Sequence, residues 1–225
     1  MVYRVIYIGI ECQIIIDPHY TEDSCYALFR TLSDQCSMVS VDKPSCSRAI
    51  AYGENFEIRL FIRSTTGEAL LIITVNSANN TLREDSVTAF ELFNKVFGAL
   101  SRYILYLRKI RIYIRSSLRF PIHRIRNIIT GLQSIGIALT KTELKNLEGS
   151  HIYMITGLYI EQHLRSYEIN IVAFIRDSPI AEASATITSY TNKDKIFEDL
   201  LSLIGTTRAI LEVIEDLASS SGSNP

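Results

Sequence analysis

The chain has no tryptophan, few prolines and no two cysteines spaced to grip a metal. Its four cysteines, Cys12, Cys25, Cys36 and Cys46, all fall in the first quarter, with no Cys-x-x-Cys pair among them. That spacing argues against a structural zinc site; buried thiols are the first expectation, with a disulfide left open. No run of eighteen uncharged apolar residues occurs, so no membrane-spanning helix is expected. The apolar opening is interrupted by Arg4 and Glu11 and is followed by no small-residue cleavage site, so no signal peptide is expected and a cytoplasmic location is. GxSxG, GxGxxG and Walker-type loops are missing, and His19, His123, His151 and His163 stand in no metal-ligand spacing. The chain therefore reads as a non-catalytic binding protein with no metal and no cofactor.

Acidic residues are absent from one long stretch. Between Glu91 and Glu143 there is none, while Lys95, Arg102, Arg108, Lys109, Arg111, Arg115, Arg119, Arg124, Arg126 and Lys141 are all cationic. The formal net charge of −1 conceals this basic centre. Such a stretch is either a solvated face paired with acids elsewhere, such as Glu212, Glu215 and Asp216, or a surface for nucleic acid. With 47% hydrophobic residues, the chain has ample material for a packed core. The isoleucine-rich, tryptophan-free composition suggests a thermophilic archaeal source.

Residue patterns predict an α+β protein. Residues 2–16 are β-branched and aromatic and form one long strand that Asp17 and Pro18 stop. Cys25, Leu28, Phe29 and Leu32 recur at helical spacing over 21–33. Short strands at 38–41 and 49–52 precede a hairpin of 56–63 and 68–75, joined by Ser64, Thr65, Thr66 and Gly67. Thr81 and Glu84 make a capping box for a helix whose apolar stripe is Val87, Phe90, Phe93, Phe97 and Leu100. The same order then recurs: a strand at 109–115, a helix opened by Pro121 with Ile122, Ile125, Ile128, Ile129 and Leu132 on one side, strands at 137–140, 152–159, 167–176 and 182–190, and a helix over 194–217.

Residue identities repeat along with the order. FEIRLFIR at 56–63 is similar to YEINIVAFIR at 167–176, and FELFNKVFGAL at 90–100 to FEDLLSLIGTT at 197–207. Two matches in sequence order point to an internal duplication, with repeats at 1–106 and 107–217 and a frayed tail at 218–225. Each repeat reads as strand, helix, four strands, helix. Helices must cover one face of such a sheet, and two repeats joined through their first strands give one curved antiparallel sheet with an open face opposite the helices.

That order resembles the core of the TATA-box-binding protein family. KIRIYIRSSLRFPIHRIRNI at 109–128 resembles the family's strand-to-helix segment with its Phe-Pro-Ile triplet, here Phe120, Pro121 and Ile122. ECQIIID at 11–17 and LFIRSTTGE at 60–68 are similar to two first-repeat motifs, and AFIRDSPIAE at 173–182 is a fainter echo of the hairpin. The resemblance implies a saddle whose concave face binds double-stranded DNA in the minor groove, in a transcription-related role. Carried over to this chain, the contacts are Val5, Leu70, Ile72, Arg111, Tyr113, Ser184 and Thr186, with Arg115, Arg119 and Arg126 toward phosphates.

The chain departs from the family at several of these places. Glu68 and Glu182 stand where hairpin lysines approach the DNA backbone. Ala49 and Leu147 stand at two of the wedge positions, with Phe61 and Phe174 near the other two. Arg111, and Tyr3 or Val5, stand where the family carries its paired asparagines. Without wedges nothing offsets the cost of unstacking, which leaves open a second expectation: a protein-interaction module, homodimeric or joined to a transcription factor, on the same fold.

Overall fold

A strand buried on one side alternates large apolar residues with others that face away, and the strand Glu68–Asn76 has this pattern. Ala69, Leu71, Ile73 and Val75 are buried, while the residues between them are half-buried. The computed structural model describes residues 3–41, 47–77, 82–134, 138–145, 151–161, 165–174 and 180–219. They form β1 (Tyr3–Ile16), α1 (Thr21–Leu32), β2 (Met38–Val41), β3 (Arg48–Tyr52), β4 (Phe56–Arg63), β5 (Glu68–Asn76), α2 (Leu82–Leu100), β6 (Ile104–Pro121), α3 (Ile125–Ser134), β7 (Ala138–Lys145), β8 (His151–Glu161), β9 (Arg165–Phe174), β10 (Ile180–Thr191) and α4 (Ile196–Ser219). The protein is α+β, and the order strand, helix, four strands, helix occurs twice along it. The strands are hydrogen-bonded in the order β2-β3-β4-β5-β1-β6-β10-β9-β8-β7. Every pair whose register is described is antiparallel.

The chain divides into two compact units, Tyr7–Tyr113 with Tyr190–Leu201, and Met1–Ile6 with Ile114–Ser189 and Ser202–Pro225. In the Tyr7–Tyr113 unit, Ile8, Ile10, Cys12, Ile14 and Ile16 of β1 join Ile58 and Leu60 of β4 and Leu71 and Ile73 of β5 under the helices. Cys25, Leu28 and Leu32 of α1 and Phe93, Val96, Phe97 and Leu100 of α2 supply the helical side, and the two helices pack on each other and on β3 and β5. Each large side chain so buried contributes about 1.5–3 kcal/mol relative to exposure, so this single apolar layer fixes which sheet face the helices cover. In the Ile114–Ser189 unit, Ile114, Phe120, Ile128, Ile187, Leu203, Leu211 and Ile214 are buried. There α3 and α4 approach closely at Gly131, where an added Cβ would meet the Leu217 side chain at 2.2 Å.

Several expectations need correction. β6 begins five residues before Lys109 and continues past Arg115, because its basic residues stand on the exposed side of a strand whose other side buries Ile110, Ile112, Ile114 and Ser116. Pro121 ends that strand instead of opening a helix; a 3-10 turn at Ile122–Arg124 intervenes, and proline is tolerated at a strand end because no ladder donor is needed there. On α2, Val87 is exposed, and Ala89, Leu92 and Val96 share the buried stripe with Phe93 and Phe97. Phe29 of α1 is likewise exposed, since the helix turns its Cys25–Leu28–Leu32 side to the core. Cys25 is no free thiol but disulfide-bonded, a pairing that separation along the chain could not reveal. Thr81, the predicted helix cap, lies outside the described residues.

Candidate functional site

Helices cover one face of the sheet in the Tyr7–Tyr113 unit, and the strand register sets what the opposite face presents. Alternate residues of β3, β4, β5 and β1 line up in cross-strand rows. One row is Ile50, Arg59, Ile72 and Glu11; the next is Arg48, Phe61, Leu70 and Gln13; a third is Tyr52, Glu57, Thr74 and Gly9. On β6, Arg111 and Tyr113 belong to this face: Arg111 pairs with Glu11, and Tyr113 lies over Gly9. A Cβ at Gly9 would stand 2.0 Å from the outer end of the Tyr113 ring, so a larger residue there would need that ring to shift.

The face mixes cations with acceptors and rings. Arg59 donates two hydrogen bonds of 2.7 Å to the two carboxylate oxygens of Glu57, a planar fork-to-carboxylate match. Arg111 donates to Glu11, whose side chain is mostly buried. Glu68 accepts from two guanidiniums, Arg63 at 3.1 Å and Arg108 at 2.9 Å. The Arg48 guanidinium sits 5.7 Å from the centre of the Phe61 ring, the Arg111 guanidinium 5.8 Å from that of Tyr113, and the Lys109 ammonium 3.7 Å from that of Tyr190. Tyr7 meets Tyr113 edge to face at 5.9 Å between ring centres. Burial pushes the Tyr113 phenol above its ordinary pKa, a hydrogen bond with Thr74 working in the opposite direction. At the hairpin end, Gln13, Phe61, Arg63, Glu68, Leu70 and Arg108 line a shallow cavity of about 560 Å³.

The residues singled out from sequence are distributed as follows. Leu70, Ile72, Arg111 and Tyr113 share the uncovered face, all of them half-buried. Arg115 and Arg119 are exposed farther along β6, and Thr186 is half-buried on β10, in the Ile114–Ser189 unit. Arg126 is exposed on α3 and stands on no strand. Val5 and Ser184 lie on β1 and β10, with side chains outside the described residues. Sequence reading missed Arg48, Glu57, Arg59, Arg63 and Lys109 as members of the set. The signal was present in FEIRLFIR, where the polar residues of β4 recur at every second position and so share one face with Phe61.

Among the described residues no group of three or more His, Cys, Asp or Glu could hold a metal ion, and no helix is long and apolar enough to cross a membrane. No family model matches the chain, and no curated protein does. Among solved structures, the chain is similar to an adenosylmethionine decarboxylase from Aquifex aeolicus, with 10% identity, a TM-score of 0.36, and coverage of 48% of this chain and 89% of that one. A putative monooxygenase from Lactobacillus acidophilus gives 8% identity and a TM-score of 0.30 over 96% of this chain and 90% of that one. The di-domain ARO/CYC protein BexL gives 9% identity and a TM-score of 0.27 over 99% of this chain and 100% of that one. Likenesses this slight assign neither a fold family nor an activity.

Proposed function

We propose that the protein is a non-catalytic nucleic-acid-binding protein that presents the uncovered sheet face to double-stranded DNA, in a transcription-related role and on a duplicated, TATA-box-binding-protein-like architecture. The observation that carries this reading is the charge of the face. Arg48, Arg59, Arg63, Arg108, Lys109 and Arg111 stand against only Glu11, Glu57 and Glu68 among its described residues. Each glutamate is ion-paired, so it does not confront a phosphate as a bare charge. Glu68 in particular, acidic where the resembled family is basic, holds two guanidiniums, and the cluster keeps a net positive charge. A surplus of cations on an open sheet attracts a polyanion by counterion release, whatever its sequence.

Sharp kinking of the duplex is not part of the proposal. Ala49 is buried and pairs with Leu60 on the helix-covered side of the sheet, so it offers no wedge. Phe61 is on the open side but half-buried beneath Arg48. A gel-shift titration with random and A·T-rich duplexes at two salt concentrations tests the reading. Binding should weaken steeply with salt and differ little between the two sequences. Absence of binding at low salt, or binding indifferent to salt, would overturn it.

One observation favours a second reading, a protein partner or a second copy of the chain. Phe61, Leu70 and Ile72 form a half-exposed apolar strip between pre-formed arginine–glutamate pairs, a combination found at protein interfaces. Light scattering and pull-down decide this alternative, which a strictly monomeric protein with no recovered partner excludes.

A further inference from the structure

On the helical side of the Tyr7–Tyr113 unit, α1 and the turn between α2 and β6 enclose a cleft of about 470 Å³. That volume is within the range of small-molecule sites, roughly 300–1,000 Å³. The cleft is separate from the sheet face and plays no part in the proposed DNA contact. Asp23, Tyr26 and Arg30 come from successive turns of α1, Tyr20 precedes the helix, and Arg102 and Tyr103 come from the facing turn.

The frame is well held. Tyr103 accepts a hydrogen bond from the Asp17 amide at 2.9 Å through its carbonyl, and its own amide donates to the Leu100 carbonyl at 2.9 Å. The turn is thereby tied to the start of α1. Tyr20 and Tyr103 form a tilted aromatic pair, 6.1 Å between centres, and the Arg102 guanidinium lies 4.6 Å from the centre of the Tyr103 ring. Stacking on a ring fixes a guanidinium while leaving its N–H edge unused. Neither Arg30, Arg102 nor Asp23 forms an ion pair among the described residues. Two guanidiniums and a carboxylate thus surround one aromatic-walled cleft without neutralising each other.

We propose that this cleft binds a nucleoside phosphate, with the phosphate between Arg30 and Arg102, the base against the exposed Tyr20 ring, and Asp23 accepting from N–H groups on the base edge. Other ligand classes leave part of the site unused. A simple anion would ignore the rings and be repelled by Asp23, a cation would be repelled by both arginines, and a neutral aromatic would leave the guanidiniums unmatched. A guanine edge offers two adjacent N–H donors to one carboxylate, so guanosine monophosphate is the preferred probe over uridine monophosphate.

A free nucleotide and the phosphorylated end of a strand share this chemistry. Calorimetric titration of the full chain with guanosine monophosphate, uridine monophosphate, inorganic phosphate and a 5′-phosphorylated tetranucleotide separates the sources. Saturable binding of a mononucleotide or of the phosphorylated strand, tighter than inorganic phosphate, is expected. Arg30→Ala and Arg102→Ala, both at exposed positions, should each lower that affinity roughly tenfold, the loss typical of a hydrogen bond to a charged group. Asp23→Asn should weaken the guanine nucleotide more than the uracil one. Arg59→Glu, on the sheet face, should leave nucleotide affinity unchanged, which separates this site from the DNA-binding reading. No binding at millimolar nucleotide, equal affinity for inorganic phosphate, or insensitivity to both arginine changes would overturn the proposal.

Discussion

Two free thiols, one buried and one partly exposed, show how position, more than residue type, sets chemistry. Cys12 points into the core beneath the helices and is 1% exposed, while Cys36 is only partly covered beyond α1. Burial, reinforced by the neighbouring Glu11 carboxylate, pushes the Cys12 thiol from its ordinary 9.0 up to about 12. Burial raises Cys36 as well, with Lys95 pulling it back. The thiolate is the reactive form, so iodoacetamide on the native protein should label Cys36 and spare Cys12, which mass spectrometry reads directly. The same displacement has a consequence for stability. Below pH 9 both folded and unfolded states keep the Cys12 proton, and between 9 and about 12 only the folded state does. Stability should therefore fall as pH rises through that window, and Cys12→Ala should flatten the decline in urea unfolding followed across it. An equal decline in both proteins would show that Cys12 is not its source.

Single elements were legible wherever one periodicity dominated. β4 and β5 alternate, so both strands are predicted within a residue of their observed bounds, and the helical stripe from Phe93 to Leu100 repeats at three and four residues, which marks α2 as a helix. The β4–β5 turn was legible too, because Ser-Thr-Thr-Gly between two alternating runs marks a hairpin. Its last residue, Gly67, has φ of +68°, and a Cβ there would lie 1.9 Å from the Ile16 carbonyl oxygen. That oxygen belongs to backbone and cannot swing aside. Gly67→Ala should destabilise the protein by about 1–3 kcal/mol, lowering the urea midpoint. An unchanged midpoint would mean that the turn relaxes into another conformation. β6 was read too short for the opposite reason: its arginines masked an alternation that becomes plain only when the buried side is known. The rotation of α2 that exposes Val87 was equally hidden, since a helix with apolar residues on more than one side has several candidate faces and packing against α1 and β5 selects one.

At the scale of the whole molecule, charge is distributed by face, and net charge does not describe it. The formal −1 of the chain coexists with a sheet face on which six cations meet three anions among the described residues. If that face neutralises phosphates, each cation lost should lower the logarithmic salt slope of DNA binding by about 0.9. Arg59→Glu should reduce affinity and slope together in a gel shift at two salts; a slope equal to that of the unaltered protein would remove Arg59 from the interface. The sequence by itself determined the α+β class, the twice-repeated element order and the surplus of positive charge at the chain's centre, because periodicity and composition are local properties. Only the tertiary structure decided that Glu11, Glu57 and Glu68 neutralise particular arginines, that Ala49 turns to the helices, that Cys25 is oxidised, and that Tyr20, Arg30 and Arg102 enclose one cleft. Arg59–Glu57 and Arg63–Glu68 are near neighbours along the chain, but Arg111–Glu11 and Arg108–Glu68 join residues 100 and 40 positions apart, and strand register and helix packing set such contacts where no local pattern can.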